Sequence, residues 1–262
     1  MSLLAHRIDG AAGAPIVLLL NGGLMTMAVW DPIAASLSAD FRVLRCDLRG
    51  QILSPGRVES VDAHVHDVLR LMDAAGVEQA HLAGVSYGSF VAIKLAAAAP
   101  ARVRSLVVMN STPVITDAMW RAGLPVVEAC RAAAEGRGDG ARMFEELVPG
   151  TFSPSYVAAN GAFLESRARQ FGRLPREQFQ SFLDIFLSLR GLDLRAAAAR
   201  VAAPSLVIGA RADETFAEPA SSDLARAIPG AELTFVDGPH GVVLENPAAL
   251  IGPLSSFLRR QS

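Results

Sequence analysis

The amino-acid sequence predicts an α/β fold in which a mostly parallel central sheet carries helices on both faces and an all-helical cap is inserted between two strands. Short runs rich in leucine and β-branched residues alternate with helical patterns, which is typical of parallel sheets covered by helices. Several of these runs are apolar without alternation, as in strands that are buried on both faces. One long internal region has no convincing strand.

The strands and helices follow one another in the order that such a sheet requires. Short apolar runs predict strands, and apolar residues that recur at helical spacing predict helices between them. The strands are expected over residues 15–20, 42–46, 80–84, 105–110, 205–210 and 232–236. The helices are expected near residues 31–39, 62–75, 88–99, 220–227 and 246–260.

Residues 113–200 interrupt the alternation of strands and helices. This region contains several helical stretches and is broken at the segments EGRGDG and VPGTFSPS. An all-helical insertion between two strands is expected to lie over the carboxyl edge of the sheet, where open α/β sheets bind ligands. We therefore predict a core of residues 1–112 and 201–262 and a cap of residues 113–200.

Composition and charge exclude several classes of protein. The chain has 262 residues, 51% of them hydrophobic, which allows a sizeable core. Its net charge of −2 is not the strongly basic charge that is typical of nucleic-acid-binding proteins. No apolar run approaches the ~20 residues of a membrane span. Cys46 and Cys130 lie too far apart to form a metal or redox pair. We expect a cytoplasmic monomer or homodimer that binds a small molecule, with no nucleic acid, membrane or metal partner.

The segment HLAGVSYGSF, residues 81–90, places a serine between two glycines where a predicted strand meets a predicted helix. The strand-to-helix turn is sharp, and side chains on either side of Ser86 would collide with neighbouring backbone. Gly84 and Gly88 remove these collisions. The hydroxyl group then lies near the first amides of the helix, whose partial positive charge stabilises an oxyanion. We interpret Ser86 as a nucleophile.

A serine hydroxyl needs a base that removes its proton. Among the five histidines, His240 follows the last predicted strand in the loop DGPHGVVLENP, from which its ring can reach Ser86. An imidazole base is oriented by a carboxylate, for which Asp213 in LVIGARADETF is the leading candidate and Glu214 the alternative. Surface or structural roles are expected for the remaining histidines, which are His6, His64, His66 and His81.

Together these residues resemble the α/β-hydrolase superfamily over nearly the whole chain. The resemblance rests on the motifs LLLNGG, CDLRGQILSPG, GVSYG, IGARADETF and GPHGVVLENP. The order of Ser86, Asp213 and His240 along the chain is also the order of that superfamily. The resemblance implies the α/β-hydrolase fold and catalysis by these three side chains.

The resemblance also implies an oxyanion hole made by the backbone amides of Gly23 and Tyr87. The superfamily usually has a His-Gly pair where this chain has Asn21-Gly22, but the amide of the next residue supplies the chemistry. The amino end of the chain looks short by a strand for this superfamily. The chain also departs from the usual pattern at Ile52, at Pro239 and in the spacing of Gly209 from the acid.

Two groups within the superfamily look most similar. NGGLMTMAVWDP and VVMNSTPVITDAMW are similar to 3-oxoadipate enol-lactonases and related esterases, and the asparagine together with DETF is similar to the acyltransferase that joins hydroxyacyl chains for rhamnolipid precursors. The first resemblance implies hydrolysis of a carboxylic ester, lactone or thioester through an acyl-enzyme, without a cofactor. Acyl transfer and ligand binding without turnover are the alternatives.

The cap is rich in Trp, Phe and Leu, which favours an apolar, acyl-like substrate. Phe179, Phe182 and Phe186 recur at helical spacing, a pattern that by itself is more typical of a core than of a ligand pocket. The residues expected to line the substrate pocket are Leu24, Trp120, Phe144, Phe186 and Val242.

Overall fold

The computed structural model describes residues 2–262, and a sheet of seven strands lies at its centre. The strands are β1 (His6–Asp9), β2 (Ile16–Leu20), β3 (Arg42–Cys46), β4 (Ala80–Val85), β5 (Val103–Met109), β6 (Ser205–Ala212) and β7 (Glu232–Pro239). Their order across the sheet is β1-β3-β2-β4-β5-β6-β7. β1 pairs antiparallel with β3, and the other pairs are parallel. The predicted α/β class with a mostly parallel sheet is confirmed.

Helices connect the strands and cover both faces of the sheet. In chain order they are α1 (Asp31–Leu37), α2 (Val61–Ala74), α3 (Tyr87–Ala98), α4 (Asp117–Ala122), α5 (Leu124–Ala134), α6 (Gly140–Thr151), α7 (Pro154–Ala159), α8 (Gly161–Phe171), α9 (Arg176–Leu187), α10 (Arg195–Ala198), α11 (Glu218–Ala227), α12 (Val242–Glu245) and α13 (Ala248–Arg260). The helices predicted for the core region correspond to α1, α2, α3, α11 and α13. Their bounds differ from the prediction by one or two residues at most ends.

Alternate residues of β2 show how the sheet divides the core. Leu18 and Leu20 are fully buried in the cluster that contains the apolar residues of α2, α3 and α11. Val17 and Leu19 point to the opposite face and pack with apolar residues of α1 and α13. This period of two is inherent to a strand, and a fully buried leucine contributes about 1.5–3 kcal/mol. Burial on both faces explains why β2 is an uninterrupted apolar run.

α3 lies beneath the candidate site and is buried along most of its length. It packs against β4 and against the end of β2 so closely that two glycines are required. A Cβ atom on Gly84 would lie 2.5 Å from the carbonyl oxygen of Gly88, and a Cβ atom on Gly88 would lie 2.6 Å from the carbonyl oxygen of Asn21. The steric reason predicted for the G-x-S-x-G segment is therefore present in the fold.

The strand β1 was missed by the sequence analysis. Its four residues, HRID, are polar or half-exposed, and they lack the apolar run by which the other strands were recognised. The strand pairs with only one neighbour, with His6 opposite Cys46, and forms the edge of the sheet. Edge strands bury little, so hydrophobic patterning does not reveal them.

Helices α4 to α10 lie between β5 and β6 in the chain. Residues from α5, α6, α8 and α9 form a separate apolar cluster around Met143, Phe179 and Phe182. Asp184 on α9 forms an ion pair with Arg57 in the loop after β3. These helices fall in the region predicted as a cap, and the domain boundaries at residues 113 and 200 stay a prediction.

Candidate active site

Ser86 lies between β4 and α3 in a backbone conformation that few residues other than glycine adopt. Its φ and ψ angles are 50° and −118°, and strain of this kind is typical of functional sites, where the surrounding structure holds it in place. The backbone N–H of Ser86 donates to the carbonyl oxygen of Met109 at 2.9 Å, at the end of β5. The turn therefore presents the Ser86 hydroxyl at the carboxyl edge of the sheet.

His240 comes directly after β7, and its Nε2 atom lies 3.0 Å from Oγ of Ser86. The His240 loop is tied to the end of α6, because the N–H of Gly241 donates to the carbonyl oxygen of Thr151 at 2.8 Å. The ring of Phe216 packs edge-on against the imidazole, with 5.2 Å between the ring centroids. The imidazole is thus held where a neutral Nε2 can accept the serine proton.

Asp213 follows β6, and its buried carboxylate accepts four hydrogen bonds. Oδ1 accepts from the N–H groups of Thr215 at 2.9 Å and Phe216 at 2.8 Å. Oδ2 accepts from Nδ1 of His240 at 2.9 Å and from Nδ2 of Asn110 at 2.9 Å.

Two opposing effects act on the carboxyl group of Asp213. Burial is the largest single influence and raises its pKa, but the hydrogen bonds and charge supplied by His240, with the donors at Phe216 and Asn110, together outweigh it. The pKa of Asp213 therefore lies below its usual value. An ionised Asp213 accepts the Nδ1 proton of His240, which leaves Nε2 free to face Ser86.

Asn110 is a member of this arrangement that the sequence analysis missed. It follows β5 with a φ angle of 49°, and its side chain is fully buried beside Asp213. Because β5 and β6 are parallel neighbours, the residues after their carboxyl ends meet at the same edge. The segment MNSTP contains no carboxylate, and its amide, Asn110, supports the carboxylate that follows the next strand.

The two residues whose amides are predicted to form an oxyanion hole, Gly23 and Tyr87, lie next to each other. Tyr87 is the first residue of α3, and a Cβ atom on Gly23 would lie 3.7 Å from Cβ of Tyr87. Among residues 2–262, neither amide donates a hydrogen bond to another group. The N–H of Tyr87 lies at the N-terminus of α3, which carries a partial positive charge, and the N–H of Gly23 lies on the neighbouring loop after β2.

The structure brings together three of the five predicted pocket residues. Leu24, Phe144 and Phe186 are half-buried and pack against the apolar cluster of the inserted helices. Trp120 packs instead against the main core and lies beneath the guanidinium group of Arg190. Val242 is fully buried in the core on the opposite face of the sheet. The assignment of these residues to a substrate pocket stays a prediction.

Two of the histidines assigned to structural roles are buried. Nε2 of His64 donates to the carbonyl oxygen of Arg49 at 3.1 Å, and Nδ1 of His81 lies 2.8 Å from Oγ of Ser105. Burial lowers the pKa of each imidazole to about 4. Both imidazoles are therefore neutral near pH 7.

Within residues 2–262, no group of three or more His, Cys, Asp or Glu side chains is arranged to hold a metal ion. No helix in the same part of the chain is both long and apolar enough to cross a membrane.

The chain is similar in sequence and in fold to known proteins. The chain is 32% identical to the protein named "Putative carbamate hydrolase RutD" of Azorhizobium caulinodans, over 93% of this chain and 90% of that protein. It is 25% identical to 3-oxoadipate enol-lactonase 1 of Acinetobacter baylyi, over 98% and 93% of the two chains. The crystal structure of the enol-lactonase from Burkholderia xenovorans LB400 superposes with a TM-score of 0.85 at 28% identity, covering 98% of this chain and 96% of that one.

A family model is matched as well, and its description is the alpha/beta hydrolase fold. The match covers residues 15–247, which include the strands β2 to β7 and the loops that carry Ser86, Asp213 and His240. The similarity to this superfamily noted in the sequence motifs is confirmed, and membership implies a hydrolase that acts on a small molecule. The chain belongs to the α/β-hydrolase family.

Proposed function

We propose that the protein is a serine hydrolase that cleaves a carboxylic ester, lactone or thioester through a covalent acyl-enzyme. The observation that carries the proposal is the hydrogen-bonded series Ser86–His240–Asp213, with 3.0 Å between Ser86 Oγ and His240 Nε2 and 2.9 Å between His240 Nδ1 and Asp213 Oδ2. A hydroxyl, a base and an orienting carboxylate within these distances are the parts that acyl transfer requires.

In the first half of the reaction, Ser86 Oγ attacks the acyl carbon while Nε2 of His240 takes the hydroxyl proton. The resulting oxyanion accepts hydrogen bonds from the amides of Gly23 and Tyr87, each of which typically stabilises the transition state by about 3 kcal/mol. The protonated His240 then donates its proton to the leaving oxygen, nitrogen or sulfur as the bond to the acyl carbon breaks. Asp213 stays ionised and stabilises the imidazolium throughout.

In the second half, water replaces the leaving group. His240 removes a proton from the water molecule, the hydroxide adds to the acyl carbon, and the same two amides hold the second oxyanion. The intermediate collapses with return of the proton to Oγ of Ser86, which releases the carboxylic acid and restores the enzyme. These steps balance without a metal or an organic cofactor.

The apolar side chains that join the core loops to the inserted helices support a neutral acyl group as substrate. Leu24 and Ile52 on the core loops pack with the inserted-helix cluster that also receives Phe186. The two arginines that flank Ile52 in its loop are each paired with a carboxylate, Arg49 with Asp67 and Arg57 with Asp184. Both guanidinium groups of this loop already have carboxylate partners, which favours an uncharged acyl chain over one that ends in a carboxylate.

A panel of acyl donors tests this choice. We expect p-nitrophenyl hexanoate to have a higher kcat/KM than a p-nitrophenyl ester whose acyl chain ends in a carboxylate. Lactones and carbamates belong in the panel because the relatives bear the names enol-lactonase and carbamate hydrolase. Faster turnover of the charged ester would refute the assignment of a neutral acyl pocket while leaving the serine mechanism intact.

The substitution Ser86→Ala tests the function itself. It should abolish turnover of every substrate in the panel and leave the melting temperature within a few degrees of the wild type. Ser221→Ala is the matched control, because Ser221 is a buried serine on α11 whose hydroxyl has no hydrogen-bond partner among the described residues. Turnover by Ser86→Ala at the wild-type rate would rule out Ser86 as the nucleophile.

A further inference from the structure

Gln51 is fully buried, and both ends of its side-chain amide are occupied. Its Oε1 atom accepts from the N–H of Leu48 at 2.7 Å and from Nδ2 of Asn21 at 3.1 Å. Its Nε2 atom donates to the carbonyl oxygen of Gly22 at 2.6 Å and to that of Gly23 at 3.2 Å. Gln51 therefore connects its own loop, after β3, to the glycine loop after β2.

A buried polar network fixes the side chain of Asn21, which donates to Oε1 of Gln51. Oδ1 of Asn21 accepts from Nε1 of Trp30 at 2.8 Å, and Nδ2 of Asn21 also donates to Oδ1 of Asp47 at 3.3 Å. Asp47 in turn accepts from the N–H groups of Met27 at 2.6 Å and Leu53 at 3.0 Å. Each of these side chains has several partners, which makes the network rigid.

The hydrogen bond from Gln51 to Gly22 also determines where the amide of Gly23 points. The carbonyl group of Gly22 and the N–H group of Gly23 belong to one peptide unit, and the peptide bonds of the described residues are trans. In a trans peptide these two groups point in opposite directions. Holding the carbonyl oxygen against Gln51 therefore directs the N–H away from Gln51, on the loop that adjoins Tyr87.

We propose that Gln51 is a positioning residue that aims the Gly23 amide at the oxyanion formed during acyl transfer. The proposal rests on the function proposed above, because it assigns Gln51 a task within that reaction. Gln51 does not touch the reacting atoms, and it acts through one peptide plane. The carbonyl oxygen of Gly22 also accepts from the N–H of Met25 at 3.2 Å. Substitution of Gln51 therefore weakens the restraint on the Gly22–Gly23 peptide without removing it.

The first test compares two glutamine-to-methionine variants. Gln51→Met keeps the length of the side chain and removes its hydrogen bonds. The value of kcat should fall about 10- to 100-fold, which is less than the fall caused by the complete loss of an oxyanion donor. The value of KM should stay within a few-fold of the wild type. Gln79→Met is the control, since Gln79 precedes β4, at the end of that strand away from Ser86, and donates to the carbonyl oxygen of Ala101 at 3.4 Å. An equal loss of kcat in both variants would refute the positioning role.

Gln51→Glu provides a second variant of nearly the same shape. Burial beside two carbonyl oxygens raises the pKa of the introduced glutamate, so the comparison is made at a pH above that pKa. There a carboxylate oxygen faces the carbonyl oxygens of Gly22 and Gly23 and repels them, whereas the methionine side chain neither donates to them nor repels them. We expect a larger loss of kcat for Gln51→Glu than for Gln51→Met. A role in packing alone predicts the reverse order, because the glutamate side chain preserves the shape of the amide and can still accept from Leu48 and Asn21.

Two further readouts separate the positioning proposal from the proposed function. If the wild type hydrolyses esters and Gln51→Met matches it within a few-fold, the positioning role is wrong and the function stands. If the wild type neither turns over an acyl donor nor reacts with a fluorophosphonate, the function is wrong. The nuclear magnetic resonance signal of the Gly23 amide tests the orientation of the peptide directly. A shift of this signal in Gln51→Met supports the positioning role, and an unchanged signal overturns it.

Discussion

The substitution Asp213→Asn changes one oxygen of a buried carboxylate to an NH₂ group. Oδ1 of Asp213 faces two backbone N–H donors, those of Thr215 and Phe216, so the NH₂ group is excluded from that position. It is forced to the position of Oδ2, which faces Nδ1 of His240 and Nδ2 of Asn110. There the amide donates a hydrogen bond to Nδ1, whereas the carboxylate accepts one.

This reversal selects the wrong tautomer of His240. When Nδ1 is the acceptor, the ring proton resides on Nε2, which lies 3.0 Å from Oγ of Ser86 and can no longer take the serine proton. The variant also loses the negative charge that stabilises the imidazolium. A fall in kcat of about 10⁴-fold is the known scale for this change in a serine enzyme, equivalent to about 5.5 kcal/mol of transition-state stabilisation.

The assay is the steady-state hydrolysis of a p-nitrophenyl ester, with the melting temperature measured in parallel. Glu214→Gln is the matched control, because Glu214 is the adjacent carboxylate, was the alternative acid, and is exposed to solvent. We expect Glu214→Gln to retain the wild-type rate. If Asp213→Asn lost less than about tenfold while it remained folded, or if Glu214→Gln lost most of the activity, the assignment of the acid would be wrong.

Three other predictions concern stability, pH and the acyl pocket. Gly88→Ala should prevent stable folding, because the added Cβ atom would overlap the carbonyl group of Asn21. Gly252→Ala in α13 is the contrasting variant, because nothing lies near the added atom. It should raise the free energy of unfolding, measured by chemical denaturation, by about 0.5–1 kcal/mol. The pKa of Asp213 is lower in the folded state than in the unfolded state. The stability that Asp213 contributes is therefore present above its unfolded pKa of about 3.9 and is lost as the pH falls through the folded pKa. When the melting temperature is measured at decreasing pH, it should decline less steeply for Asp213→Asn than for the wild type. Phe186→Ala should lower kcat/KM for a long-chain ester more than for an acetate ester, and equal effects on both would remove Phe186 from the pocket.

Much of the fold could be predicted from the sequence because its signals are local. The buried strands β2 and β4 are continuous apolar runs bounded by turns. Gly84 and Gly88 mark the sharp turn at Ser86, since backbone atoms occupy the space of any side chain there. The loop DGPHGVVLENP indicates His240, because a side chain in a Gly/Pro loop after a strand can reach the edge of the sheet.

The features that the sequence analysis missed depend on contacts between distant segments. Asn110 becomes important only because it shares an oxygen of Asp213 with His240. Gln51 lies in the motif CDLRGQILSPG after β3, and its partner Gly22 lies on the loop after another strand, β2. An amide carries no charge and has no characteristic periodicity, so neither residue has a local signature.

The residues predicted to line the pocket lie in different parts of the fold. Phe144 and Phe186 pack with the inserted helices, but Val242 follows His240 by only two residues and lies in the core on the other face of the sheet. The direction of a side chain near a helix start depends on the local turn, which sequence proximity to a functional residue does not specify.

The most direct measurement is the location of the covalent adduct formed with a fluorophosphonate ester. Peptide mass spectrometry of the wild type should place one phosphonyl group on Ser86, and Glu214→Gln should give the same adduct. Asp213→Asn should form it far more slowly, in proportion to its loss of ester hydrolysis. Ester turnover by a protein whose adduct lies on another residue, or that forms none, would contradict the acyl-enzyme mechanism.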